Sequence, residues 1–599
     1  MEVTRIFDLL DRYSGRFQKD DVLAGKKDGK WIRYSTNDYI DNSNYFSYGL
    51  LGLGFKPGDK IATVSNNRPE WNIIDMGMLQ AGVIHVPVYP TISPGDYSHI
   101  LKHSDVKAII ISSKLLYKKL IGLVNDIPGI HHVFTIDEVE GQRSISEIIE
   151  IGKALESKYR DKLREIKSGI KPEDMATLIY TSGTTGSSKG VMLSHRNIVS
   201  NFISTSYIQP LDHRHKILSF LPLCHIYERM VNYKFQYKGI SIYYAENFGT
   251  ISQNLNEIKA DGFNTVPRLL ERIYDKLVAK GNELTGTKKR IFFWALDLAL
   301  KYELNGANGR VYEMKRKIAD KLVYSKWREA LGGNVKIIVS GGSALQPRLA
   351  RMFWAAGMSV MEGYGLTETS PVIAVNHAVW PNIKFGTVGP LLKDVKVKIA
   401  ADGEILTKGP NLMMGYYKDP EYTKEVIDED GWFHTGDVGF MDEGKFLKIT
   451  DRKKEIFKLS SGKYIAPQVI ENKFKESIFI EQIMVVGENE KFASALISPN
   501  LEHLHNWASL HKIAFRDNEE LVSIKQVVDR YQREVDQINK TLGDHEKIKR
   551  FRLVCEEWSP VSGELSPTLK LKRSVIYRKY DHILKDIYRY PKDNNVTVQ

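Results

Sequence analysis

Seven short runs rich in β-branched residues constrain this chain most. They are "KIATVS" (Lys60 to Ser65), "VIHVPVY" (Val83 to Tyr89), "VKAIIIS" (Val106 to Ser112), "ATLIYT" (Ala176 to Thr181), "HKILSFL" (His215 to Leu221), "GFNTVP" (Gly262 to Pro267) and "VKIIVSGG" (Val335 to Gly342). Buried-looking strands separated by helix-length segments read as parallel α/β layers. A length of 599 residues exceeds a single core, so more than one doubly wound sheet is expected. From Gly386 to Thr450 the texture changes to short strands with Gly and Asp turns, as in "GEILTKGPNLMMGYY" and "GKFLKIT", which read as a small antiparallel or barrel-like subdomain. After "DRKKEIFK" (Asp451 to Lys458) strand-like and helical segments alternate again. The expected fold is therefore α/β, with a large N-terminal lobe of two doubly wound sheets plus a small β-barrel-like subdomain, and a smaller α+β C-terminal lobe.

Composition narrows the function classes. Only Cys224 and Cys555 are present, too few for a disulfide framework or a cysteine metal site, so a reducing cytoplasm is the expected compartment. The segment "MEVTRIFDLLDRYSGRF" has no secretory h-region, and no uncharged apolar run of about 18 residues occurs. The net charge of +12 favours anionic substrates or the inner face of an anionic membrane, weakly over this length. One helical segment, "RIFFWALDLALKYEL" (Arg290 to Leu304), follows the basic "TGTKKR"; it reads as an interfacial helix or, preferably, as a helix packed on the protein's own core. Cys224 and His225 suggest a nucleophile pair, but neighbours on a strand point to opposite faces and could not easily form a dyad.

The stretch "YTSGTTGSSKG" (Tyr180 to Gly190) offers glycines, hydroxyls and a lysine to an anion. A Gly-rich turn lets backbone N–H groups converge on phosphate oxygens. Lys189 stands three residues after Gly186 instead of directly after it, and no hydroxyl succeeds it, so the Walker pattern of P-loop NTPases is not met. Downstream come "EGYGLTETSP" (Glu362 to Pro371), "GWFHTGDVG" (Gly431 to Gly439), "DRKKEIFKLSSGKYIAP" (Asp451 to Pro467) and "SPTLKLKR" (Ser566 to Arg573). In this order the set resembles the adenylate-forming superfamily over nearly the whole chain. "FLPLCHIYER" (Phe220 to Arg229) and "VPRLLERIYDK" (Val266 to Lys276) resemble its AMP-forming long-chain fatty-acid CoA ligases in particular.

The resemblance implies ATP, Mg²⁺, coenzyme A and a long-chain fatty acid as ligands, and no nucleic acid. It assigns the β- and γ-phosphates to Thr181, Ser182, Gly183, Thr184, Thr185, Gly186 and Lys189. Tyr364 would stack on adenine, Thr367 would bond the α-phosphate, and Glu368 would hold Mg²⁺. Gly341, Gly342 and Ser343, after a strand end, would let backbone approach the adenine and acyl carbonyl. Asp437 would accept from the ribose hydroxyls, Arg452 would reach the ribose or phosphate, and His225 would line the acyl pocket.

Lys570 matches the lysine that bridges the acyl carboxylate and α-phosphate; the family pattern more often has glycine before it, where Leu569 stands here. Residues 451–454 resemble the family hinge with Lys454 as pivot, which divides the chain into a large lobe, 1–450, and a mobile lobe, 455–599. Rotation would exchange Lys570 for the face carrying Lys458 and Gly462 in the second, CoA-dependent step. Three alternatives remain: a fatty acyl-AMP ligase serving a carrier protein, a medium-chain or aryl-acid CoA ligase, and a silent acyl- or nucleotide-binding protein.

Overall fold

The computed structural model describes residues 2–181, 188–560, 562–566 and 569–588, and the chain divides into two compact units. The first comprises Met1–Lys398, Leu406–Thr435 and Met441–Lys448; the second comprises Ile399–Ile405, Gly436–Phe440 and Ile449–Gln599.

All seven β-branched runs become strands. The first four enter a seven-stranded sheet ordered Gly415–Tyr416, Lys189–Ser194, Met175–Thr181, Ile84–Val88, Lys60–Val64, Ala108–Ile111 and His132–Thr135. From Met175–Thr181 to His132–Thr135 its strands pair in parallel. Ile84–Val88 and Ala108–Ile111 are buried along their whole length, as two-sided coverage by helices requires. The last three runs lie in an eight-stranded sheet, with Ile337–Ser340 parallel to both Gly262–Thr265 and Ser359–Gly365. The strands expected after Gly386 form a four-stranded sheet ordered Lys396–Ile399, Glu404–Lys408, Phe433–Asp442 and Phe446–Arg452.

The two large sheets share one helix, Ile226–Tyr237, whose burial is unusual because it carries Glu228, Arg229, Asn232, Lys234 and Gln236 inward. A buried charge is tolerated only when paired and hydrogen-bonded. Arg229 meets that condition: it donates to Asp75 Oδ1 at 2.5 Å, to Thr177 Oγ1 at 2.6 Å and to Tyr233 Oη at 2.7 Å. Tyr233 donates to the other Asp75 oxygen, and His85 Nδ1 lies 2.6 Å from Asp75 Oδ1. Burial opposes ionisation of Asp75, but Arg229, His85 and Tyr233 outweigh it and hold the carboxyl below its ordinary range. Glu228, next in sequence, turns to the other sheet, accepting from Ser219 Oγ at 2.6 Å and Asn264 Nδ2 at 3.3 Å. Burial pushes its carboxyl up to about 7.

Two readings of the sequence are decided here. The helix Gly286–Leu300 buries Phe292, Ala295, Leu296, Leu298 and Ala299, so it is a core helix. Cys224 and His225 lie on a turn rather than on a strand: His225 caps the helix Ile226–Tyr237, its Nδ1 accepting from Tyr227 N at 3.1 Å. The Cys224 thiol is buried and its pKa is driven up by that burial, which removes it as a nucleophile.

In the second unit, the strands Ile480–Val486, Ser494–Pro499 and Arg550–Leu553 form a three-stranded sheet. Its apolar core includes Ile483, Val485 and Ile497 from the sheet, Ile470 and Phe474 from the helix Pro467–Phe474, and Tyr531 from the helix Lys525–Asn539.

Arg229→Met, which strands Asp75, is expected to cost about 3–5 kcal/mol in urea unfolding. Arg229→Met combined with Asp75→Leu should recover much of that loss, and equal losses in the single and double variants would contradict the pairing.

Candidate active site

In the first unit, the Gly-rich stretch is the connection of a β-hairpin. Met175–Thr181 runs antiparallel to Lys189–Ser194, and Thr181 stands opposite Lys189. Ser182, Gly183, Thr184, Thr185 and Gly186 lie outside the described residues. The strand Lys189–Ser194 rather than a helix follows this stretch in the chain, unlike the Walker arrangement.

Lys189 Nζ lies over the Tyr422 ring, with the Tyr416 ring 5.6 Å away. Tyr416 in turn donates its phenol to Glu368 Oε1 at 2.8 Å. Burial and the Glu368 charge hold that phenol protonated. Lys189 and Glu368, distant in sequence, are thus brought together through one tyrosine.

Thr367 and Glu368 sit on the 3-10 turn Thr367–Thr369, directly after the strand Ser359–Gly365. The carbonyls of the turn are held by one backbone and one side-chain donor: Met413 N donates to Glu368 O at 2.8 Å, and Asn411 Nδ2 to Thr369 O at 2.8 Å. Gly365 is required there, because a Cβ would lie 1.8 Å from Pro371 O.

Gly341, Gly342 and Ser343 follow the strand Ile337–Ser340, and Tyr364 lies near the end of its parallel neighbour, in which Glu362 is in register with Ser340. Both groups therefore occupy carboxyl ends of adjacent parallel strands, where open α/β sheets bind ligands. Tyr227 packs against Gly341, where an added Cβ would come 3.2 Å from its ring, and Tyr227 Oη donates to Val339 O at 3.0 Å. Glu362 Oε1 accepts from Leu345 N at 2.8 Å, tying the turn to the neighbouring strand; burial pushes its carboxyl up to about 8.

In the second unit, Arg452 Nε lies 3.1 Å from Asp437 Oδ1, and Asp437 is buried. Lys454 occupies an exposed turn just beyond Arg452, anchored by Asp451, whose carboxylate accepts from Arg452 N and Gln468 N. Lys458 and Gly462 share the hairpin of Phe457–Lys458 and Tyr464–Ile465. Gly462 holds φ +82°, a conformation suited to glycine.

Lys570 precedes Leu571, which forms an isolated antiparallel bridge with Leu565. Ser566 N donates to Lys570 O at 2.7 Å, and Lys570 N to Ser566 Oγ at 3.0 Å. Leu569 has φ +62°, so the backbone keeps a glycine-like conformation while the leucine packs on the Trp558 and Tyr580 cluster.

A family model described as "AMP-binding enzyme" matches residues 11–417, and one described as "AMP-binding enzyme C-terminal domain" matches residues 454–591. The chain belongs to the AMP-binding enzyme family. A long-chain-fatty-acid–CoA ligase of Mycobacterium bovis is 32% identical over 94% of this chain and 93% of its own length. A human long-chain-fatty-acid–CoA ligase is 32% identical over 93% of this chain and 82% of its own. Among solved structures, an anthranilate CoA ligase in complex with anthranoyl-AMP superposes with TM-score 0.70 at 16% identity, covering 96% of this chain and 97% of that one. A fatty acyl CoA synthetase of Mycobacterium tuberculosis gives TM-score 0.60 at 18% identity, over 97% and 99% of the two chains. The relatives agree with the AMP-forming long-chain fatty-acid CoA ligase expected from the motifs.

In this AMP-binding enzyme the sequence reading missed Tyr416, Tyr422 and Tyr227. The first two stand in "MGYYKDPEY", whose aromatic density was the available signal; Tyr227 stands inside "CHIYER". Among the described residues no group of three or more His, Cys, Asp or Glu could hold a metal. A single oriented carboxylate, Glu368, fits Mg²⁺ carried on nucleotide phosphates, since that ion takes one or two carboxylates plus substrate oxygens.

Tyr416→Phe should raise the Mg²⁺ concentration needed for half-maximal AMP formation by about tenfold, as loss of a ligand-orienting hydrogen bond does. Leu569→Gly should preserve acid-dependent pyrophosphate release. Leu569→Val, β-branched at positive φ, should lower that release more than glycine does, and the opposite order would refute the role of the backbone conformation.

Proposed function

We propose that this AMP-binding enzyme joins a long-chain fatty carboxylate to the α-phosphate of ATP, releases pyrophosphate, and transfers the acyl group to the thiol of coenzyme A. The observation that carries the chemistry is the Lys189–Tyr416–Glu368 cluster beside the Gly-rich hairpin. It offers a cation and an oriented carboxylate to a polyphosphate. The long-chain acid is taken from the similarity to the CoA ligases above.

A fatty carboxylate with a pKa near ~4 to 5 is ionised at neutral pH, so the first step needs no general base. Its obstacle is repulsion: two like unit charges about 4 Å apart cost on the order of 4 kcal/mol at an effective dielectric near 20. Preorganised cations and donors offset that repulsion. Thr181, Ser182, Gly183, Thr184, Thr185, Gly186 and Lys189 take the β- and γ-phosphates, and Thr367 takes the α-phosphate. Glu368 would hold Mg²⁺, which when bound neutralises phosphate charge. Gly341, Gly342, Ser343 and Tyr364 receive the adenine. Asp437 and Arg452, already paired, receive the ribose. Lys570 bridges the carboxylate and α-phosphate. Residues 451–454 act as the hinge with Lys454 as pivot, Lys458 and Gly462 serve thioester formation, and His225 lines the acyl pocket.

Purified protein given ATP, Mg²⁺ and acids of graded length should yield AMP and pyrophosphate, and acyl-CoA when coenzyme A is added. ADP as product would refute the proposal. Lys570→Ala should slow adenylation by about a hundredfold while sparing transfer from supplied acyl-AMP, and Lys458→Ala should slow chiefly the transfer.

A further inference from the structure

No helix among the described residues is long and apolar enough to cross a membrane. One, however, presents an apolar stripe to solvent. On the helix Gly309–Ala319 and its π-helical continuation Asp320–Tyr324, Val311, Met314, Ile318 and Leu322 are 67%, 66%, 53% and 44% exposed. Their spacing of three, four and four residues puts them on one face. Isolated exposed apolar residues are ordinary, but an aligned row of four is not.

The opposite face is fully engaged. Tyr312 Oη donates to Leu298 O at 2.7 Å, Arg316 Nη1 to Ala355 O at 3.2 Å, and Tyr324 Oη to Ala295 O at 2.8 Å. Ala319 and Val323 are buried between these anchors. The helix is thus held rigidly with its apolar row outward.

Charge surrounds the row. Arg310, Lys315, Lys317, Lys321 and Lys326 are exposed along the same segment. The two acidic residues within it are neutralised by ion pairs, Glu313 with Arg316 at 2.9 Å and Asp320 with Arg328 at 2.5 Å. Apolar side chains flanked by unneutralised cations suit an interface that is apolar inside and anionic at its surface.

We propose that this face docks the protein on an anionic phospholipid bilayer, with Val311, Met314, Ile318 and Leu322 entering the headgroup–acyl boundary. The flanking lysines would lay their methylene stems along that boundary and keep their ammonium groups among the lipid phosphates. A second copy of the chain is a poorer occupant, because a two-fold contact through this face would bring like-charged rims together. The inference goes beyond the reaction proposed above, and its readout contains neither ATP nor fatty acid, so either can fail without the other.

The test is co-sedimentation of the full chain with phosphatidylcholine vesicles made with and without phosphatidylglycerol. Binding is expected to the anionic vesicles and to weaken as salt rises. Met314→Gln with Ile318→Gln, and separately Lys317→Gln with Lys321→Gln, should each weaken it by about tenfold or more. Both variants should keep the wild-type thermal midpoint and AMP formation on detergent-dispersed acid, since all four residues are exposed. Absence of wild-type binding, or undiminished binding by the Met314/Ile318 variant, would overturn the proposal. So would concentration-dependent dimerisation that these substitutions abolish in a protein that ignores vesicles.

Discussion

The buried ion pair between Arg229 and Asp75 is the constraint on which the first unit depends. A guanidinium withdrawn from water has to be paired and hydrogen-bonded, and Arg229 satisfies this only where Asp75, Thr177 and Tyr233 converge. Because Glu228 beside it is bound to Ser219 and Asn264, a single turn of helix is tied to both large sheets at once. Removing either partner exposes an uncompensated charge, so the relative position of the sheets is set by electrostatics as well as by apolar burial.

The same turn reaches the segment after the strand Ile337–Ser340. Tyr227, one residue before Glu228, packs on Gly341 and bonds Val339 O, and so supports the turn that follows the strand Ile337–Ser340. Glu362 holds that turn from the other side through Leu345 N. The motif "CHIYER" is therefore mainly a positioning element: His225 caps, Tyr227 supports, and Glu228 and Arg229 tie the sheets. The Gly-rich stretch differs from a P-loop in its chain order, since the strand Lys189–Ser194 rather than a helix follows it.

In the second unit, Leu569 precedes Lys570 where the motif resemblance leads one to expect glycine. Leu569 occupies a left-handed backbone position that glycine would hold without strain, and its side chain packs against the cluster of Trp558 and Tyr580.

The sequence by itself determined the α/β class, all seven strands named from it, and the ordered motif set, because β-branched runs and Gly-rich turns are local signals with local physical causes. It also supplied the family resemblance that the relatives bear out. Only the tertiary structure decided which polar residues are buried and with whom. Arg229 finding Asp75, Glu368 finding Tyr416, and Lys189 finding Tyr422 are contacts between residues far apart in the chain, and no local pattern encodes them. The same holds for the two neighbouring helices. "RIFFWALDLALKYEL" is the more apolar stretch, yet it faces the core while Val311, Met314, Ile318 and Leu322 face solvent. Periodicity says that a helix has an apolar face, but only the elements packed around it settle whether that face is covered.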